Sequence, residues 1–191
     1  MLNQAVQFLL GTFINLFVFA VLLRFYMQVM RAPFRNPFAQ FIVALTDFAV
    51  RPLRKLIPGL WGLDLSCLFL ALVAEFLLVV AVQWLNGFPF MVAPGAAYLG
   101  LLLLTVAKLL KLSLYLLIAV VFAQAVLSWV NPFNPLQPVL TALSRPFTRF
   151  FQRIIPPIAN VDLSPLFVFI AAELVLMLPV TWLEVLAFRL I

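Results

Sequence analysis

The sequence predicts an all-α membrane protein: four transmembrane helices as two parallel repeats, each with a cytoplasmic amphipathic interfacial helix. Three observations predict it. The 191 residues are 66% apolar and 9% charged, with a mean hydropathy of +1.21. A soluble domain runs nearer half apolar and a quarter charged, and a chain this small has too much surface to hide so much apolar area from water. Disorder is excluded by the same richness in apolar and aromatic residues. Second, four runs are long and uncharged enough to cross a bilayer, which takes about 20 residues. Third, residues 36–85 recur without a gap at 134–183, with 18 identities in 50.

The first span is about 6–23, uncharged from Val6 to Leu23 and ended by Arg24. It is too long for a signal peptide, and Met1 to Gln4 hold no basic residue, so a retained helix is expected. The second is about 66–85, interrupted only by Glu75. The third is 112–130. Between Leu101 and Val130 there is no Gly or Pro to mark a hairpin, so one long helix should start near Tyr98 and enter the bilayer near Lys111. The fourth is 164–188, with Glu173, Pro179 and Glu184 inside it.

The repeat divides the chain into 1–97 and 98–191. At an offset of 98, Asn36-Pro37 pairs with Asn134-Pro135, Arg51 with Arg149, and Ile57-Pro58 with Ile155-Pro156. Asp64-Leu65-Ser66 pairs with Asp162-Leu163-Ser164, Glu75 with Glu173, and Trp84-Leu85 with Trp182-Leu183. Leucine richness cannot place Pro, Asp, Ser, Glu and Trp in register. Two spans per unit return the chain to its starting side, so the units run parallel, related by a pseudo-two-fold along the membrane normal.

Between paired spans lie amphipathic segments, about 36–56 and 134–155. Phe38, Phe41, Ile42, Leu45 and Phe48 recur at helical spacing in the first, and Leu136, Val139, Leu140, Leu143, Phe147 and Phe150 in the second. Asp47, Arg51, Arg54 and Lys55, then Arg145, Arg149 and Arg153, fall on or near the other face. Such helices lie in the interface, aromatics in the acyl boundary and basic groups at anionic lipid phosphates. Pro52 and Pro146 should kink or split them. The net charge of +6 therefore points to lipid headgroups and not to nucleic acid. Because the 86–97 linker carries no basic residue, both amphipathic segments should face the cytoplasm; Lys108, Lys111 and Arg189 fall on the opposite side.

Histidine is absent and Cys67 is the single cysteine. That removes Cys/His zinc motifs, intrachain disulfides and His-based nucleophile pairs, and no phosphate-binding glycine loop is present. No enzyme, metal or cofactor is expected. The candidate functional residues are the repeated polar ones. Asp64 and Asp162, with Ser66 and Ser164, stand at helix starts, where capping is the ordinary role and ion or partner binding the alternative. Glu75 and Glu173 each lie nine residues after the motif serine and nine before the tryptophan, about 13 Å from each, near the bilayer midplane. There a carboxyl either joins helices as a neutral hydrogen-bonding group or lines a functional site, with Arg24 and Lys108 as candidate partners.

The paired elements Ile57-Pro58 to Asp64-Leu65-Ser66 and Ile155-Pro156 to Asp162-Leu163-Ser164-Pro165, with the upstream Asn-Pro and Pro52-Leu53-Arg54-Lys55, resemble the signature of the YggT family in its proteobacterial two-repeat form. The resemblance spans essentially residues 10–188. It departs at Cys67, where the second copy has Pro165, and at Phe150-Phe151-Gln152, which replaces Pro52-Leu53-Arg54. It implies a multi-pass protein of the bacterial inner membrane with no established catalytic residues. Family members are linked to osmotic and potassium stress, and relatives to membrane-complex assembly or division. The expected function is a membrane scaffold or assembly factor with membrane-protein partners or a second copy. The alternative is an ion channel or transporter subunit lined by Glu75 and Glu173.

Overall fold

The computed structural model describes residues 1–57, 59, 64–131, 133–154 and 162–191. Among these there is no strand. The helices are α1 (Leu2–Val29), α2 (Pro37–Leu56), α3 (Leu65–Leu85), α4 (Gly95–Val130), α5 (Gln137–Ile154), α6 (Ser164–Val175) and α7 (Thr181–Leu190). A five-residue π segment, Leu176–Val180, joins α6 to α7. Four helices are long and apolar enough to cross a membrane: α1, α3, α4 and the continuous Ser164–Leu190.

Local chemistry sets the ends. α1 closes with Ala32 N–H donating to Met27 C=O at 2.8 Å, which places Arg31 at φ 52°, the left-handed region. The same closure ends α3, where Phe88 N–H donates to Gln83 C=O at 3.0 Å and Gly87 takes φ 82° at no steric cost. α2 starts on Asn36, whose side chain accepts from Phe38 N–H at 2.9 Å, with Pro37 at the first helical position. Asn134 makes the equivalent bond to Leu136 N–H, also 2.9 Å. The Asn36 side-chain amide also donates to the Pro135 carbonyl, so the two Asn-Pro corners touch.

α1 packs along α3, and α4 along α7; α2 and α5 lie against the first spans of their own units. A core at the α2/α5 end joins Leu23, Met27, Ile42, Leu116, Val139 and Leu143. Across the units, α3 packs on α4, whereas α6 makes no comparable contact with α1.

Two expectations change. α4 is one unbroken helix of 36 residues, but its first third is not outside the bilayer-crossing bundle. Leu101 and Leu104 pack with Val79 of α3 and Ala187 of α7, so the helix joins the spans well before Lys111. Pro52 and Pro146 break neither α2 nor α5. Both prolines are exposed, so the ring faces outward and the carbonyl it strands can be solvated. Pro179 does disturb its helix. It sits in the π segment, and Thr181 Oγ1 donates to Leu176 C=O at 2.9 Å, satisfying a carbonyl in the irregular turn.

Candidate functional site

The repeated aspartates fasten each amphipathic helix to the following span. Arg54 Nε donates to Asp64 Oδ2 at 2.9 Å, and Nη2 reaches the same oxygen. Cys67 Sγ donates to it at 3.2 Å. In the second unit Gln152 Nε2 donates to Asp162 Oδ2 at 2.9 Å. The residue pairs stand ten apart in both units. Burial pushes the Asp64 carboxyl up, but hydrogen bonds from Arg54 and Cys67 and the Arg54 charge outweigh it and hold Asp64 below the usual carboxylate range. Burial acts the same way on Asp162, and bonds from Ser164 and Gln152 hold it low. The expected capping role divides: Asp162 Oδ1 accepts from Ser164 N–H at 2.9 Å, whereas Asp64 makes no side-chain cap bond, its accepting oxygen being taken by Arg54. Ser66 Oγ donates to Ile57 C=O at 2.9 Å. Ser164 is equally buried; the Ile155 that matches Ile57 lies outside the described residues, as do Pro58, Trp61 and Pro156.

Arg24 is a second fastening, which hydropathy alone does not reveal. Its side chain is 3% exposed. It donates to Thr46 Oγ1 at 2.9 Å, to Val43 C=O at 3.3 Å and to Asp47 Oδ1 at 3.1 Å. Arg24 is thus a partner of α2, not of a glutamate. The signal lay in the Thr46-Asp47 pair, polar residues on an otherwise apolar stretch of α2.

Within the spans the charges divide unevenly. Glu75 is 1% exposed, and its Oε2 has no hydrogen-bond partner. Toward the middle of α4, Lys111 Nζ meets Glu184 of α7 at 3.0 and 3.2 Å. Lys111, on the unexpected side, is therefore paired with an acid of a neighbouring helix and is not a free loop charge. Glu173 is exposed and makes no hydrogen bond or ion pair among the described residues. The structure does not bring Glu75 and Glu173 together, because α3 is covered by α4 while the matching face of α6 has no helix over it.

On α2 and α5, Arg51, Lys55, Arg145, Arg149 and Arg153 are exposed and form no ion pair among the described residues; Arg54 is spent on Asp64. Exposed beside them are Phe41, Phe48, Phe150 and Ile154. A cavity of about 310 Å³ lies between α4, α5 and the π segment, with an almost wholly apolar lining that includes Leu117, Phe147 and Pro179. No cluster of metal-ligating side chains occurs among the described residues.

A family model described as CCB3/YggT matches residues 3–85 and 103–183, two segments that each hold one amphipathic helix and its Asp-x-Ser element. The chain belongs to the CCB3/YggT family. Curated relatives cover nearly all of it. An uncharacterized protein of Pseudomonas aeruginosa is 34% identical over 93% of this chain and 89% of its own length. An uncharacterized protein of Vibrio alginolyticus is 34% identical over 89% and 90%. The uncharacterized protein YggT of Escherichia coli K12 is 32% identical over 85% and 82%. No solved structure matches.

Proposed function

We propose that this CCB3/YggT protein is a membrane scaffold or assembly factor, not an enzyme. It holds α2 and α5 flat at the cytoplasmic face of the bacterial inner membrane as a docking platform. The observation that carries this is what each helix leaves exposed once its inner residues are buried on the spans (Ala39, Ile42, Thr46 and Val50; Val139, Leu140 and Leu143). α2 exposes Phe41 and Phe48, and α5 exposes Phe150 and Ile154 further along its apolar face. Arg51, Lys55, Arg145, Arg149 and Arg153 are exposed and form no ion pair among the described residues. A headgroup layer accepts both kinds of group: rings enter the acyl boundary and guanidinium groups meet phosphates. The matching latches at Asp64 and Asp162 support two parallel repeats, with both platforms on one side. The osmotic and potassium stress link implied by the family fits a scaffold that senses or stabilises the surface of a stressed membrane.

The test is hydrogen exchange of α2 and α5 in nanodiscs of phosphatidylglycerol against phosphatidylcholine, with chemical cross-linking in native membranes. Protection should rise with the anionic lipid. Neutralising Arg51, Lys55, Arg149 and Arg153 should abolish that rise and strip cross-linked membrane proteins. Equal protection in both lipids, with cross-links retained, would remove the platform reading. The orphan Oε2 of Glu75 favours one competitor, an ion site in the bilayer. Flux of potassium or protons into liposomes holding only this protein, lost in Glu75→Gln, would establish that reading instead.

A further inference from the structure

We propose that the open face of α6 around Glu173 is covered, within the bilayer, by α1 of a second copy of this chain, with Glu173 meeting Asn15. The repeat supplies the first argument. On α3, Cys67, Ala71, Glu75 and Val79 form a buried stripe wedged between α1 and α4. The same stripe on α6, at an offset of 98, is Pro165, Phe169, Glu173 and Met177. Here Glu173 is open and Met177 is 68% exposed. The helix that covers Glu75 is the first span of the following unit. Among the described residues no first span takes that place over α6, and α1 of another copy can.

The chemistry supplies the second argument. An apolar face turned to lipid needs no partner, but a carboxyl near mid-span does. Ionisable groups within spanning helices face protein or a water-filled cavity, because hydrocarbon offers them nothing. α1 carries a suitable partner at a suitable depth. Asn15 makes no side-chain hydrogen bond among the described residues. A Cβ placed on Gly11, one turn away, would meet only Asn15 Nδ2 at 3.9 Å, so a second helix can approach there. Asn3 Nδ2 donates to Leu85 C=O at 2.7 Å, which sets a common level for α1 and α3. Asn15 lies about 18 Å along α1 from that level, and Glu75 about 15 Å along α3. Glu173 shares the depth of Glu75 by its identical spacing from serine and tryptophan. A carboxyl and an amide at one depth, each lacking a partner, Glu173 exposed and Asn15 half-buried at the edge of α1, form a polar contact of the kind that joins helices in lipid.

In this interface α6 of one chain meets α1 of the next. Antiparallel pairing through Glu173 and Asn15 brings Met177 beside Thr12. Two differently tagged chains, Met177→Cys and Thr12→Cys, are co-expressed, and disulfide formation is driven in native membranes; Cys67 is fully buried and stays in place. The expected product is a mixed-tag dimer. A Met177→Cys homodimer without the mixed product would show that α6 meets α6 and overturn the assignment. No product of either kind, with a monomeric mass in nanodiscs, would show that lipid covers the face and overturn it as well. In the parent chain, Glu173→Leu or Asn15→Leu should raise the dimer dissociation constant roughly three- to thirtyfold, the range of intramembrane hydrogen bonds. Glu173→Gln should retain the dimer. An unchanged constant in both leucine variants would refute the Glu173–Asn15 contact.

Discussion

The two latches use different donors from the amphipathic helix, Arg54 on Asp64 and Gln152 on Asp162, and that difference is measurable. Arg54→Gln gives the first latch the donor of the second: a charged guanidinium on a buried carboxylate becomes the neutral amide that already serves Asp162. Both donors bond an ionised carboxylate, a bond worth about 1.5–3 kcal/mol net, so what Arg54→Gln removes is the ion-pair attraction and the second N–H. Arg54 is 47% exposed while Asp64 is 3% exposed, so solvent screening trims the difference, and Arg54→Gln should cost about 1 kcal/mol. The reverse change, Gln152→Arg, should gain less than about 0.5 kcal/mol, because Asp162 is exposed. Denaturant unfolding in detergent micelles, followed by far-UV circular dichroism, reads both.

Acid supplies an independent check. The Asp64 carboxyl is held low in the folded protein. Its contribution is therefore fully present above the unfolded value of about 3.9 and is lost as pH falls through the lower folded value. The gap between parent and Arg54→Gln should be constant above about pH 5 and close below about pH 4. No gap at neutral pH, or one that persists unchanged at about pH 2, would refute the claim that Arg54 stabilises an ionised Asp64.

Gly100→Ala should destabilise the α4/α7 packing by about 1–3 kcal/mol, since its Cβ would lie 2.9 Å from the Ala187 carbonyl oxygen and from Leu190 Cβ; the same unfolding assay reads it, and an unchanged midpoint would count against this contact. Arg31→Gly should stabilise by up to about 1 kcal/mol, because Arg31 holds the left-handed backbone at the end of α1 that costs an L-residue about 1–2 kcal/mol while glycine loses more chain entropy on folding. Glu184→Gln alone should lower stability by leaving Lys111 unpaired between α4 and α7, whereas the double replacement Lys111→Met with Glu184→Met should restore most of the loss. A double variant no more stable than the single one would show that the pair itself, and not the stranded charge, sets the cost.

Hydropathy located four spanning helices, with α3 and the Ser164–Leu190 helix placed to within about two residues, while α4, expected to span from 112, runs from Gly95; composition and spacing are local signals. What escaped them depends on neighbours distant in sequence. Glu75 and Glu173 have the same local spacing, and nothing within either span tells which is buried. That follows from α4 lying over α3 with no counterpart over α6. Arg24 lies at the end of an uncharged run, and its partners on α2 are about twenty residues away. Lys111 runs against the charge rule for loops because it lies on α4 within the bundle, paired with Glu184 of α7.

Duplication copied the polar positions, but the two copies have different surroundings, and the substitutions between them follow that difference. In the first unit Thr46-Asp47 closes on Arg24. The matching pair is Ser144-Arg145, and Arg145 is exposed without an ion pair among the described residues. Arg54, tied to Asp64, becomes Gln152, a neutral donor that keeps the bond to Asp162. Glu75 is buried, and Glu173 is open. Asp47, paired within the chain, and Glu75, buried in it, thus have counterparts turned outward in the second unit. A unit whose neighbour is part of the same polypeptide can use its polar groups to hold that neighbour. Glu173 and Arg145 are exposed and unpaired among the described residues, so they are available to another helix on α6 and to lipid headgroups on α5.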